Sequence, residues 1–133
     1  WGRPLDDRSW RLFHAYPNGV WDQPWFRHPD VVLIDGRFRT ACLATILLRA
    51  ERPVRVLFDD YGVGLLYHQI EQVIKPVCMA GRMAEFHVEP GLARRRDIGF
   101  LIHQFFWLSV HGMMESEYQT MEPAADRDQT RET

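Results

Sequence analysis

Apolar positions along this chain fall into short blocks whose spacing changes from one block to the next. Residues 31 to 35, VVLID, are apolar up to the aspartate and rich in β-branched side chains. That pattern predicts a strand buried on both faces. In residues 40 to 50, TACLATILLRA, the side chains of Ala41, Leu43, Ala44, Leu47 and Leu48 cover more than half of a helical circumference. A helix lying well buried against a sheet is expected there, stopped before Pro53. Residues 54 to 58, VRVLF, repeat the buried-strand pattern and end on Asp59 and Asp60. In residues 65 to 75, LLYHQIEQVIK, Leu66, Ile70, Val73 and Ile74 fall on one helical face, and Pro76 follows. A second α-helix is predicted. Then come a strand over 77–80, the pair Gly81-Arg82, and a strand over 83–89. In that last strand Ala84, Phe86 and Val88 alternate with Glu85, His87 and Glu89. A two-residue loop with glycine first between such runs predicts a tight antiparallel hairpin.

Strands alternating with helices predict an α/β fold: parallel strands with crossover helices, closed by a C-terminal antiparallel hairpin. In such sheets ligands bind beyond the carboxyl ends of the strands. Asp35 and the pair Asp59–Asp60 occupy those ends. Three carboxylates at one edge offer the oxygen ligands of a hard ion such as Mg²⁺; the same residues also serve as ordinary turn formers. Arg37 and Arg39 follow the first strand end. Their forked donors suit an anionic substrate, or a clamp on Asp59 and Asp60. His68 follows the second strand end and is a candidate general base, while an exposed helix histidine is the plain alternative. Tyr61 and Tyr67 read as packing residues.

Residues 1–30 are a loop-rich aromatic segment. Trp1, Trp10, Trp21, Trp25, Phe13, Tyr16 and Phe26 are punctuated by Pro4, Pro17, Pro24 and Pro29, so long regular elements are not expected. These rings serve as anchors on a core or as a lid over a ligand. The opening, WGRPLDDRSW, reads as the middle of a loop rather than as a signal peptide, and the expectation is a piece of a longer protein. After the α/β portion, 31–90, an apolar helical tail runs over 91–114. Ile98, Leu101, Ile102, Phe105 and Leu108 share one face of it. It suits a helix docked on the sheet or on a partner; its length and its histidines speak against a membrane span. Residues 115–133 are polar and read as a disordered tail.

A net charge of −2 gives no basic face of the kind a nucleic acid calls for. Cys42 and Cys78 lie in apolar runs and read as buried thiols in a reducing, cytoplasmic setting.

The succession VVLIDGRFR, helix, VRVLFDDYG, helix and the hairpin MAGRMAEFHVEP resembles the C-terminal half of a class I S-adenosylmethionine-dependent methyltransferase. It is most similar to small bacterial methyltransferase-like proteins with IDGRFR and LFDDY strand ends. The resemblance covers residues 28 to 90. It implies a partial Rossmann-like methyltransferase sheet, with VVLID as strand four, VRVLF as strand five and the hairpin as strands six and seven. It also implies S-adenosylmethionine as cofactor and a small-molecule acceptor. Asp35, Asp59 and His68 would take the catalytic positions, Asp35 and Gly36 would touch the cofactor, and Mg²⁺ would sit on Asp35, Asp59 and Asp60. The family's glycine-rich loop and ribose-binding acid belong to strands one and two, and no GxGxG occurs in this chain. The larger part of the cofactor pocket is therefore expected to be missing. With strand one absent, VVLID should be an exposed apolar edge, and self-association or a missing N-terminal half is expected. Two further classes fit the pattern: a non-catalytic association module, and a metal-dependent sugar transferase using the paired aspartates.

Overall fold

The structure, a computed structural model, describes residues 7–106. Four strands form one mixed sheet in the order β1-β2-β4-β3. β1 (Val31–Ile34) and β2 (Val54–Phe58) run parallel, with Val31 opposite Arg55 and Ile34 opposite Phe58. β4 (Met83–Val88) lies antiparallel on the other side of β2, and β3 (Cys78–Ala80) pairs antiparallel with β4. The hairpin turns through Gly81, whose φ of 60° suits a residue without a Cβ. The α/β character, the parallel pair and the hairpin all follow the sequence pattern.

One face of the sheet holds the core. Ile34, Val54, Val56, Phe58, Ala84, Phe86 and Val88 point into it. α2 (Arg39–Arg49) covers them with Ala41, Leu43, Ala44, Ile46 and Leu47. It also buries two threonines; Thr45 donates to the Ala41 carbonyl at 3.0 Å, and no buried side-chain polar atom among the described residues lacks a partner. The aromatic segment contributes only short turns, among them α1 (Ala15–Asn18). Phe13 is its ring anchor, 5.2 Å from Phe38 between centroids, while Trp10 and Trp25 stay exposed.

Four expectations are corrected. β1 is not buried on both faces: Val31 is 53% and Leu33 60% exposed. β1 is an edge strand among the described residues, and only Ile34 of its four side chains is buried. Residues 65–75 do not make an α-helix; Leu65–Gln72 is a 3-10 helix. Its buried positions are Tyr67 and Ile70, with Val73 half-buried. Three-residue spacing eclipses side chains in a 3-10 helix and turns Tyr67 inward in its first turn, while Ile70 and Ile74 of the expected face are buried. Cys78 is exposed and Cys42 only half-buried, and neither forms a disulfide, because Cys78 sits on the uncovered face of β3. In the tail, α3 (Ile98–His103) and a turn at Gln104–Phe106 dock with Leu101, Gln104 and Phe105 inward, leaving Ile98 and Ile102 exposed. They dock on α2 rather than on the sheet. Leu108 and the expected disordered tail lie outside the described residues. No helix among the described residues is long and apolar enough to cross a membrane.

The uncovered face carries its own polar arrangement. Arg55 on β2 grips Glu85 on β4 through two bonds, of 2.6 and 2.9 Å, and His87 meets the same carboxylate at 2.7 Å. The bonds from Arg55 and then His87 pull the Glu85 carboxyl down to about 2. A depressed carboxyl stabilises the fold above its unfolded value and loses that contribution as pH falls toward the folded one. Urea midpoints measured between the ordinary value of 4.5 and about 2 should therefore drop with acid, and the drop should be shallower in Glu85→Gln. Equal slopes for the two proteins would show that the bonds to Glu85 contribute nothing.

Candidate functional site

The two parallel strands deliver their terminal residues to one rim. Both exits are left-handed at a residue with a side chain: Phe38 at φ 53° and Asp60 at φ 58°. Such conformations are uncommon outside glycine and persist only where packing holds them. Phe38 is held by burial against Phe13 and Tyr16. Asp60 is held by its carboxylate, which meets Arg39 at 3.2 Å and Arg82 at 3.0 Å.

Carboxylate oxygens of Asp35, Asp59 and Asp60 all lie within 4.8 Å of one another. Arg39, the first residue of α2, stands among them with a side chain only 11% exposed. It donates to the Gly36 carbonyl at 3.0 Å and to the Asp59 carbonyl, and it lies 3.6 Å from the Asp35 carboxylate. Its guanidinium also stands over the Tyr67 ring at 5.8 Å. Arg82, from the β3–β4 turn, closes the far side at 3.4 Å from Asp59. Burial pushes the Asp59 carboxyl up, but the Asp60 backbone N–H, Arg82, a bond with Asp35 and Arg39 together hold it below its ordinary value.

Of the residues singled out from sequence, Asp35, Asp59, Asp60 and Arg39 therefore meet, and Arg39 sits where a clamp would. Arg37 lines a neighbouring cleft. His68 stands apart: its Nε2 bonds the Tyr61 carbonyl at 3.0 Å and its ring stacks on Tyr61 at 4.6 Å. Tyr61 and Tyr67 are buried packing residues. Arg82 was not visible as a partner, because nothing in the string shows that the hairpin turn folds back to the strand exits. A lone arginine inside a turn, one hairpin after an acidic pair, is the only available hint.

A hard cation would need the lone pairs of this rim. Both oxygens of Asp60 and one of Asp59 already face guanidinium donors. Three carboxylates against two guanidiniums leave a single net negative charge. The donor set therefore does not fit a divalent ion.

Beside the rim, along the open edge of β1, lies a cleft of about 620 Å³. Tyr16, Val20, Trp21, Trp25 and Phe26 form one wall, Val32 to Ile34 and α2 the other, and Asp35, Gly36 and Arg37 the polar end. The Tyr16 hydroxyl lies 2.5 Å from where a Cβ on Gly36 would stand. Any side chain at position 36 would therefore push that ring away from the rim. The aromatic segment thus acts as anchor at Phe13 and as cleft wall from Tyr16 onward. For S-adenosylmethionine, the chain offers a strand end with Asp35 and Gly36 at a cleft, but no glycine-rich loop for the rest of the cofactor.

The geometry so far defines a four-stranded mixed α/β sheet with an acidic, guanidinium-bridged rim. One solved structure of similar form is that of a methyltransferase-like protein from Silicibacter pomeroyi DSS-3. It is 42% identical to this chain, with a TM-score of 0.72, and the match covers 80% of this chain and 55% of that one. The chain thus resembles a methyltransferase-like protein and spans little more than half the length of this relative. No protein-family model matches the chain, and no curated protein matches it.

Proposed function

We propose that this chain forms one portion of a methyltransferase-like domain, a partial Rossmann-like sheet that is incomplete for cofactor binding by itself. Joined to the remaining portion, it would serve methyl transfer from S-adenosylmethionine to a small acceptor. The observation that carries this reading is the parallel pair β1–β2, which brings Asp35-Gly36 and Asp59–Asp60 to one rim beside an unpaired edge. The 42% identity to a methyltransferase-like relative, over only 55% of that relative, agrees with it. When bound, the cofactor supplies an electrophilic methyl group. The chain's own residues do the positioning. Arg39 and Arg82 fix the strand exits, Asp35 presents a carboxylate at the cleft that is 58% exposed, and Gly36 keeps the approach to it narrow.

Calorimetric titration tests this directly. The isolated chain should give no heat with millimolar S-adenosylmethionine, whereas the polypeptide including the preceding coding sequence should bind. Replacing Asp35 by Asn in the longer protein should weaken binding about tenfold, the loss of one charge-assisted hydrogen bond. Silence from the longer protein as well would end the methyltransferase reading, and tight binding by the isolated chain would end the claim of incompleteness.

A second reading, a non-catalytic association module, is favoured by the exposed apolar side chains of Val31 and Leu33 on an edge strand. Light scattering should then show association of this chain that Leu33→Lys reduces. A monomer at all concentrations would remove this reading.

A further inference from the structure

We propose that His28 is a proton-sensitive latch that fixes the aromatic wall of the cleft to the end of α2. The imidazole joins two stretches of chain. Its Nδ1 lies 3.0 Å from the Pro29 carbonyl oxygen, an acceptor, so this nitrogen must carry the hydrogen. Its Nε2 receives the backbone N–H of Glu51 at 3.0 Å and, more weakly, that of Arg52 at 3.4 Å. Both are donors, so Nε2 must present a lone pair. Only the neutral ring in the Nδ1–H form satisfies both ends.

The latch lies where it can act on the cleft. The amides it holds are the first two after Ala50, which caps α2. Arg52 returns a bond from its guanidinium to the His28 carbonyl at 2.9 Å. The Trp21 ring, part of the cleft wall, meets the His28 ring edge-on at 5.9 Å, and Phe26 stacks against Trp21 at 4.7 Å. The Asp30 carbonyl accepts from the Arg55 amide at 2.9 Å, where β1 joins β2. His28 therefore sits between the wall and the start of the sheet.

A second fastener holds the other end of the wall through a guanidinium rather than an imidazole. Arg49 bonds Asp22 at 2.7 Å and the Trp21 carbonyl at 3.4 Å, and its guanidinium stands over the Trp21 ring at 5.7 Å. Charged groups around His28 are Arg27 and Asp30 on its own stretch, Glu51 and Arg52 in the α2–β2 loop, Arg49 with Asp22, and Arg55 on β2. Arg52 and Asp30 are themselves an ion pair at 3.7 Å. The lone pair decides the outcome: a second proton on Nε2 turns an acceptor into a donor facing two other donors. The latched form thus binds one proton fewer than the released form. The latch holds at high pH and is lost as pH falls. Release should affect residues 27–30 and the loop at 51–52, and leave 18–22 held by Arg49.

Nitrogen-15 spectra of the His28 ring and amide exchange in the full chain test this between about pH 8 and about pH 5. At the upper end the ring should be the Nδ1–H tautomer. As His28 gains its second proton, protection of the Glu51 and Arg52 amides should fall about tenfold, the loss of one net hydrogen bond. Protection at Gly19 and Trp21 should stay constant. His28→Gln, which accepts through an amide oxygen and does not titrate, should keep the protection and abolish its pH dependence. An Nε2–H tautomer at high pH, or unchanged protection at 51 and 52 with a doubly protonated ring, would overturn the proposal. The measurement on the unmodified chain decides it even where the variant does not fold. It involves no cofactor, so its outcome is independent of the methyltransferase reading.

Discussion

Arg39→Met should lower the unfolding free energy by about 3 kcal/mol, the lower end of the about 3–5 kcal/mol that removing one partner of a buried ion pair costs. The methionine keeps most of the apolar stem and removes only the guanidinium. What remains is worse than a lost contact. Asp59 and Asp60 have side chains only 15% and 19% exposed, and they would face each other and Asp35 without the cation that stands among them. Urea denaturation gives the loss. Arg39→Lys should recover only part of it, because an ammonium cannot reach the Gly36 and Asp59 carbonyls and the Asp60 carboxylate with one planar fork. Asp60→Asn in the Arg39→Met background should restore stability, since it removes the stranded charge. A loss under about 0.5 kcal/mol, the size of an exposed pair, would mean that water already screens the rim.

That rim was half legible in the string. The strands ending on Asp35 and on Asp59–Asp60 announced themselves, because an apolar β-branched run broken by a carboxylate has few other readings. Their convergence followed from parallel pairing alone. Arg82 was hidden, because its role depends on how far the hairpin folds back, and no local period encodes that. The left-handed exits at Phe38 and Asp60 were hidden for a similar reason: propensity assigns such φ values to glycine, and only packing and ion pairing keep them here. The 3-10 helix is hard to tell from an α-helix in the string, because their periods differ by only about 0.6 residue per turn and Leu66 and Tyr67 each complete a plausible pattern. The exposure of β1 could be argued only from a missing neighbour, since the residues themselves demand burial. His28 gave no signal at all: a histidine between an arginine and a proline looks like a loop residue until its two nitrogens are seen to meet one acceptor and two donors.

The other large effect couples the core to the rim. Phe58 closes β2, is fully buried, and immediately precedes Asp59. Its ring lies 5.0 Å from Tyr67, 5.3 Å from Tyr61 and 6.1 Å from Phe86, so four aromatic side chains share one packed block. Phe58→Ala should cost about 3–5 kcal/mol, the transfer of the ring plus the cavity left behind. Domains of this size hold about 5–15 kcal/mol in all, so such a loss is a large share of the total. The variant should therefore be largely unfolded near 37 °C by circular dichroism, while Phe58→Leu, which keeps most of the volume, should lose about 1–1.5 kcal/mol. The folded fraction of the alanine variant carries a second readout. The Arg39 guanidinium stands over the Tyr67 ring, so loosening that ring should let the guanidinium move and Asp59, which Arg39 helps to hold below its ordinary value, take up its proton at higher pH. A carboxyl carbon-13 shift of Asp59 that titrates as in the parent would show that the block and the rim are mechanically separate.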